Sequence, residues 1–466
     1  MKSLGFLVLV AACAPALQPA PLAPPTPPAS APVVPEAPPG AEAKPEAEAK
    51  PEADPRPPTP DARGLGAVVA PGTIGLLLPL SGKHAKLGLE LQAAVRAALA
   101  GETGLTLDVA DTTGDPVRAA AAFDALIERS HPLFVLGPVG EKETDAVAGR
   151  ARELHVPLLA LGPGFSLPGA VRLLSGPADR ARALVVALST ISPGRLGLLA
   201  PADPAGDAAL DAATREAAAR KLEVARTGRY APDAKTLEKD LRSFLGLDPT
   251  TDPRLAAHLR KYGKGGWRTF SPDVDVDVLL ILDDVRRAPL IAAFLPFMNI
   301  ELRTGYDDSV EDVRRRHGGR LPTRVQLAGP ATWHDPALLA ARADALEGAL
   351  VSDGCDALAE QPTGAALKLA EAVEAAVGRA PTRATLEAHD GVRLALAARR
   401  RALAASAGRT DGLRDAFLHA LASVVLPDAD AACGPARLAP GGAGVVERPA
   451  QLFRVQGTAF FPEDSP

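Results

Sequence analysis

Residues Ile74-Gly75-Leu76-Leu77-Leu78-Pro79-Leu80-Ser81-Gly82 form an unbroken apolar run closed by a turn pair. A strand buried on one face alternates apolar with polar, whereas one buried on both faces reads apolar throughout. The run therefore predicts a central strand of a parallel sheet with helices on both sides. Residues 86–100 follow with Leu87, Leu91, Val95 and Leu99 at spacing four, the stripe of an amphipathic helix. The unit then repeats. Leu105–Ala110 reads as a strand ended by Asp111-Thr112-Thr113-Gly114-Asp115, and Pro116 opens a helix to Arg129 from the permitted first turn. Pro132–Gly137 is a third strand, 141–153 a third helix, and Val156–Leu161 a fourth strand closed by Gly162-Pro163-Gly164.

After a helix around 178–191 the pattern restarts: strand Arg195–Ala200, helix 205–221, short strand 222–227, helix 234–245 and strand Val276–Leu282. A helix around 286–299 and a strand at Val325–Ala328 complete the second half. Repeated β-then-α units with buried-type strands predict an α/β protein of two doubly wound parallel sheets. Ligands of such sheets sit beyond the carboxyl ends of the strands. The loops 80–84, 110–116, 137–143, 162–168, 201–206 and 282–286 are therefore the ones to watch.

The chain has 466 residues and 46 prolines, of which 17 fall between residues 14 and 63. Proline fixes φ and lacks the backbone donor, so neither helix nor sheet forms there. Residues 14–70 read as a disordered Pro/Ala-rich tether, with Lys-Pro-Glu-Ala at 44–47 and again at 50–53. Before it, Lys2, the apolar run Leu4–Val10 and the small residues Ala11-Ala12 read as a secretory signal too short to span a bilayer. Val10-Ala11-Ala12-Cys13 resembles the bacterial lipobox, which implies lipidation of Cys13 and an anchor in a membrane. Ala14 stands where an aspartate would resemble an inner-membrane retention signal, so the expected location is the outer membrane, facing the periplasm.

A net charge of −5 and an aromatic content of 4% exclude the basic, stacking surface of a nucleic-acid binder. Cys355 and Cys433 would lie in an oxidising compartment, either joined or as two thiols, and spacing leaves both open.

The run 74–82, then Asp111-Thr112-Thr113-Gly114-Asp115-Pro116, Val135-Leu136-Gly137-Pro138 and Val156-Pro157-Leu158-Leu159-Ala160 resemble the type I periplasmic binding proteins, the leucine-binding-protein-like group. Asp273–Pro296 and the closing stretch Gln451–Phe460 resemble that superfamily's penicillin-binding protein activator (LpoA-like) branch. The resemblance implies two lobes joined by three crossings, near 190, 348 and 442, with a cleft between them. The implied organisation is signal peptide 1–13, linker 14–70, first lobe 71–190 and 348–441, second lobe 191–347, and a C-terminal segment 442–466 on the second lobe. It also implies a penicillin-binding protein or peptidoglycan synthase as partner, and leaves room for a small-molecule ligand.

Candidate cleft residues are Ser81, Gly82, Thr112, Asp115, Gly137, Ser166 and Asp203. The loop Gly137–Thr144 has no serine, and Pro201–Gly206 lacks the tyrosine that closes over ligand in amino-acid binders of this fold. Capture of amino acids is thus poorly provided for.

No catalytic constellation, metal set or cofactor motif emerges. The eight histidines include no i, i+4 pair. Ser166 lacks nucleophile-elbow spacing. Asp111 and Asp115 read as helix-capping residues. Asp273, Asp275 and Asp277 alternate with valines, which puts them on one solvated face at a strand edge. Arg399-Arg400-Arg401 is expected to end a helix. Arg314, Arg315, Arg316 and Arg320 lie in a polar insertion, 303–324, as a candidate partner surface.

Overall fold

The computed structural model describes residues 68–162, 169–231, 236–304, 309–316, 318–319, 321–335, 343–355, 362, 364–440 and 444–463. Cys13, tether residues 14–67, Ser166 and Arg320 lie outside the described residues, as does the side chain of Arg316, and the last tether position, Ala70, already belongs to the first strand.

The opening run becomes strand β1 (Ala70–Leu78). With β2 (Thr106–Asp111), β3 (Pro132–Leu136), β4 (Leu158–Ala160) and β5 (Ala170–Arg172) it forms a five-stranded sheet ordered β2-β1-β3-β4-β5. Every pair is parallel. Both faces of β1 are buried, as its composition demands. Ile74, Leu76 and Leu78 pack on one side with the helices Ala85–Leu99, Gly364–Val377, Arg383–Ser406 and Leu413–Leu421. Leu77 packs on the other with Phe123, Leu126 and Val147 of the helices Pro116–Ser130 and Glu141–Glu153.

The second sheet collects β6 (Leu196–Pro201), β7 (Val224–Tyr230), β8 (Val278–Ile281), β9 (Ile300–Leu302), β10 (Thr323–Gly329) and β11 (Leu350–Asp353). A small antiparallel sheet follows, of β12 (Val425–Leu426), β13 (Ala436–Leu438) and β14 (Val446–Glu447). The closing hairpin of β15 (Gln451–Gln456) and β16 (Ala459–Pro462) then completes the second sheet, ordered β16-β15-β11-β10-β8-β6-β7, with β9 on β10. β15 runs antiparallel to β11. Alternation again divides the strands: Leu198, Leu280 and Ala328 face the helices Pro177–Leu188 and Pro204–Ala219, while Leu199, Leu279 and Leu327 face Leu237–Phe244 and Ala288–Phe297. The architecture is the expected pair of doubly wound lobes.

Three local readings change. The helix Pro177–Leu188 packs on the second sheet, and β11 belongs to that sheet too. Val446 packs into the first lobe, while β15 pairs with β11. The crossings expected near 190, 348 and 442 therefore fall at 173–176, after Asp353 and at 448–450. Arg399–Arg401 does not end a helix. Its helix runs on to Ser406, because Arg399 Nε donates to Pro71 O at 2.9 Å and Arg400 pairs with Glu102 at 2.9 Å, giving the cations partners inside the lobe. Asp273, Asp275 and Asp277 share a face but lead into β8, which lies between β6 and β10 and is no edge. Asp277 pairs with Arg195 at 3.0 Å, Asp275 with Arg226, and Asp273 lies 3.5 Å from Arg254.

Candidate functional site

The strand ends of the first lobe are closed by their own backbone. Asp111, the last residue of β2, ties loops together rather than capping a helix: it accepts from Leu80 N at 2.8 Å, Thr113 N at 2.8 Å and Ser81 N at 3.3 Å. Burial pushes its carboxyl up, but these bonds and the Ser81 hydroxyl outweigh it and hold the group below the ordinary carboxylate range. Thr112 is fully buried, and its Oγ1 accepts from Gly114 N at 3.3 Å. Asp115 caps the helix it precedes, accepting from Arg118 N at 2.9 Å. Ser81 is exposed, and Gly82 has φ +77°. Gly137 has φ +89°, and a Cβ there would stand 2.0 Å from Leu77 O, so the β3 loop is pressed onto β1.

The second lobe repeats the pattern. Asp203 caps the helix Pro204–Ala219, accepting from Gly206 N at 2.8 Å. Asp283, beyond β8, accepts from Tyr230 Oη and pairs with Arg287 at 3.3 Å. Burial, then the bond to Asp283, pushes the Tyr230 hydroxyl well above its ordinary range. Among the described candidate cleft residues, Thr112, Asp115 and Asp203 thus spend side-chain acceptors on local backbone.

The open space lies to one side. A cavity of about 750 Å³ is lined by Val139, Gly140 and Glu141 from the first lobe and by Pro177, Ala205, Ala212 and Arg215 from the second. Arg172 at the end of β5, Asp179, Arg182 and Glu447 complete its polar lining. Ala212 and Arg215 lie roughly 12–16 Å along their helix from its start at 1.5 Å per residue. The cavity therefore opens at the strand ends, by the loop after β3 and the end of β5, and runs on along the flank of that helix. Its charges are largely paired: Arg172 with Asp179 at 2.7 and 3.2 Å, and Arg182 with Glu447 at 2.8 Å. Glu141 and Arg215 are exposed on its wall, without an ion-pair partner among the described residues. Arg172, Arg182 and Arg215 were not singled out from sequence: Arg182 meets Glu447 across 265 residues, and only folding brings the three to one cavity.

A buried polar cluster, also unforeseen, sits where the crossings meet. Asp353 at the end of β11 accepts from His334 Nδ1 at 2.6 Å, Arg383 Nη1 at 2.7 Å and Cys355 N at 2.9 Å. Burial alone would raise its carboxyl, but His334 and Arg383 outweigh it and hold the group below the ordinary value. Glu387 accepts from Ser175 N of the first crossing at 2.7 Å, and Arg448 Nη2 of the third donates to Glu387 O at 3.3 Å. Cys355 and Cys433 are joined by a disulfide, with Cα atoms 4.4 Å apart. Asp390 accepts from Ala432 N at 2.7 Å and Cys433 N at 2.8 Å.

The described parts of the candidate partner surface are locally neutralised. Arg314 pairs with Glu311 and Arg315 with Asp312, each at 3.2 Å within one helix. Among the described residues no group of three or more potential metal ligands occurs, and no helix is long and apolar enough to cross a membrane.

Residues 71–245 match the family model of the periplasmic binding protein. A putative branched-chain amino acid ABC transporter protein from Rhodospirillum rubrum is 17% identical, covering 84% of this chain and 99% of that one at a TM-score of 0.59. The LpoA (YraM) C-domain from Haemophilus influenzae, a regulator of PBP1A, is 15% identical, covering 84% of this chain and 100% of that one at 0.53. A solute-binding protein from Rhodopseudomonas palustris BisB5, in complex with 3,4-dihydroxybenzoic acid, is 16% identical, covering 84% and 97% at 0.51. No curated protein sequence matches the chain. The fold is that of the type I periplasmic binding-protein superfamily, and the similar structures named here are a transporter protein, a solute-binding protein and a regulator.

Proposed function

We propose that the chain is a non-enzymatic lipoprotein of the cell envelope that docks on a peptidoglycan synthase, a penicillin-binding protein, and regulates it. The observation that carries this reading is the self-satisfaction of the strand ends. Asp111, Thr112, Asp115 and Asp203 are the groups placed to hold a polar solute there, and each is bonded to nearby backbone. Displacing the bond of the buried Thr112 costs about 1–3 kcal/mol, and the exposed Asp111 and Asp115 already spend an oxygen on backbone, so a solute would have to compete with bonds already made. Likeness to the whole of the LpoA C-domain agrees with the reading. So does a lipidatable Cys13 followed by a proline-rich tether, which suits an outer-membrane anchor and a folded part working across the periplasm.

The test adds the full chain to purified bifunctional penicillin-binding proteins and follows glycan polymerisation. A rate change and a measurable complex are expected, and neither appearing with any synthase of the source organism overturns the proposal.

The lateral cavity favours a second reading, a solute-binding lipoprotein of an ABC transporter. About 750 Å³ with an apolar wall and a free Arg215 would suit a small carboxylate with an apolar body. Native mass spectrometry separates the two: a co-purified ligand lost in Arg215→Ala supports the solute reading, and an empty cavity supports docking.

A further inference from the structure

Where the three crossings meet, a small cavity of about 50 Å³ is lined by Ser175, Arg180, Ser352, Asp353, Glu387 and Arg448, among others. This is the room of one or two water molecules. Its lining carries four guanidinium groups and four carboxylates, but they are not matched one to one. Arg383 binds Asp353, Arg182 binds Glu447, and Asp179 is taken by Arg172 from outside the cavity. The Glu387 carboxylate accepts from Ser175 N. Arg180 and Arg448 are left over.

The Arg448 side chain is only 5% exposed. Its Nη2 reaches Glu387 O, and its nearest carboxylate oxygen, on Asp390, is 3.9 Å away. Arg448 Nε and Nη1, Arg180 Nε and Ser352 Oγ are all shut off from solvent without a hydrogen-bond partner. Burial lowers the affinity of Arg180 for its proton, and the nearby Glu387, Asp179 and Asp353 offset this only in part.

Three of these four groups can only donate, and the hydroxyl can donate as well. A water molecule has two lone pairs to offer and brings two further protons that need acceptors. A monatomic anion accepts from every side and brings no protons that need acceptors of their own. We propose that this cavity is a binding site for one small monovalent anion of halide size, held by Arg180, Arg448 and Ser352. Such an ion would join the first crossing's helix, the end of β11 and the third crossing, so it would fix the junction of the lobes. It is independent of whether the lateral cavity or a protein partner is the working site.

Two measurements on the full chain test this. Crystals soaked in bromide should show an anomalous peak within hydrogen-bond reach of Arg448 and Arg180. In thermal melts at constant ionic strength, replacing gluconate by chloride should raise the midpoint, with the folded-to-unfolded ratio increasing about tenfold per decade of chloride above its Kd. Arg448→Met should abolish the dependence. If that variant does not fold, ³⁵Cl line broadening on the unmodified chain, reversed by bromide, carries the same test. Ordered waters in place of bromide, or melting indifferent to chloride, overturns the proposal.

Discussion

Cutting the Cys355–Cys433 bond removes the covalent closure at the junction. The two residues are 78 positions apart, and the chain between them contributes the helices Gly364–Val377, Arg383–Ser406 and Leu413–Leu421 to the first-lobe core. The bond closes that whole segment in the unfolded chain. In the loop-entropy model a closed loop of this length stabilises the native state by about 4.5 kcal/mol. Both cysteines are buried, and their backbone N–H groups are held by Asp353 and Asp390, so the native geometry survives loss of the bond. The effect should therefore fall on the unfolded ensemble. In the double variant Cys355→Ala with Cys433→Ala, urea unfolding followed by far-UV circular dichroism should show a midpoint lowered by about 1.5 M, given a slope near 3 kcal/mol/M. Fluorescence of Trp333, which is buried in the second-lobe core, should move less if the lobes unfold separately. Midpoints within about 0.3 M of each other would refute the reasoning, because the constraint would then be redundant with structure persisting in the unfolded chain.

Asp353→Asn should cost about 3–5 kcal/mol at neutral pH, since it leaves Arg383 buried without its counter-charge. The carboxyl titrates below its ordinary value of 3.8, so its stabilisation is complete above that pH and is lost as pH falls through the folded-state value. Chemical denaturation across pH 3–7 should show the gap between wild type and variant closing only at the acid end. Gly137→Ala should cost about 2 kcal/mol or more, because φ is +89° and the added Cβ meets Leu77 O, as thermal melts would reveal. Arg314→Ala with Arg315→Ala should change stability by less than about 0.5 kcal/mol, both ion pairs being exposed. A concurrent loss of synthase binding, read by pull-down, would then assign that helix to the docking surface.

The layered architecture was legible because its signal is local. The run Ile74–Leu80 declares burial on both faces, and each following stripe at spacing four declares a helix. The cap at Asp115 was legible for the same reason, since it stands immediately before a proline at a first-turn position, whereas Asp203, read as a cleft residue, caps its helix in the same way. The junction was not. Asp353 meets Arg383 and His334, and Glu387 meets Ser175 across 212 residues. Only folding brings these together, and no spacing in the chain records it. Crossing positions were displaced for a related reason. Helix Pro177–Leu188 is amphipathic in any context, and its sequence does not say which of two sheets it covers. The lateral cavity is a void between elements, a property of packing that residue patterns do not carry.

The junction also bears on the choice between the two functions. A solute trap works by swinging its lobes about the crossings. Here all three crossings are wired to one helix end: Ser175 N to Glu387, Asp353 to Arg383, and Arg448 to Glu387 O. Rotation would break charge-assisted bonds where water is excluded, at roughly 1.5–3 kcal/mol each, and a ligand would have to offset that through its preference for one state. A docking regulator needs no such swing. Spin labels at Val117→Cys and Phe297→Cys report on the question, because both positions are well exposed and lie on different lobes. A single narrow distance distribution, unchanged by small carboxylates and unchanged after disruption of the junction by Arg383→Met, would remove the junction as the source of rigidity. A narrow distribution that broadens only in Arg383→Met is the expected result. A broad distribution in the unmodified junction, narrowed by a carboxylate, would overturn the docking reading in favour of the trap.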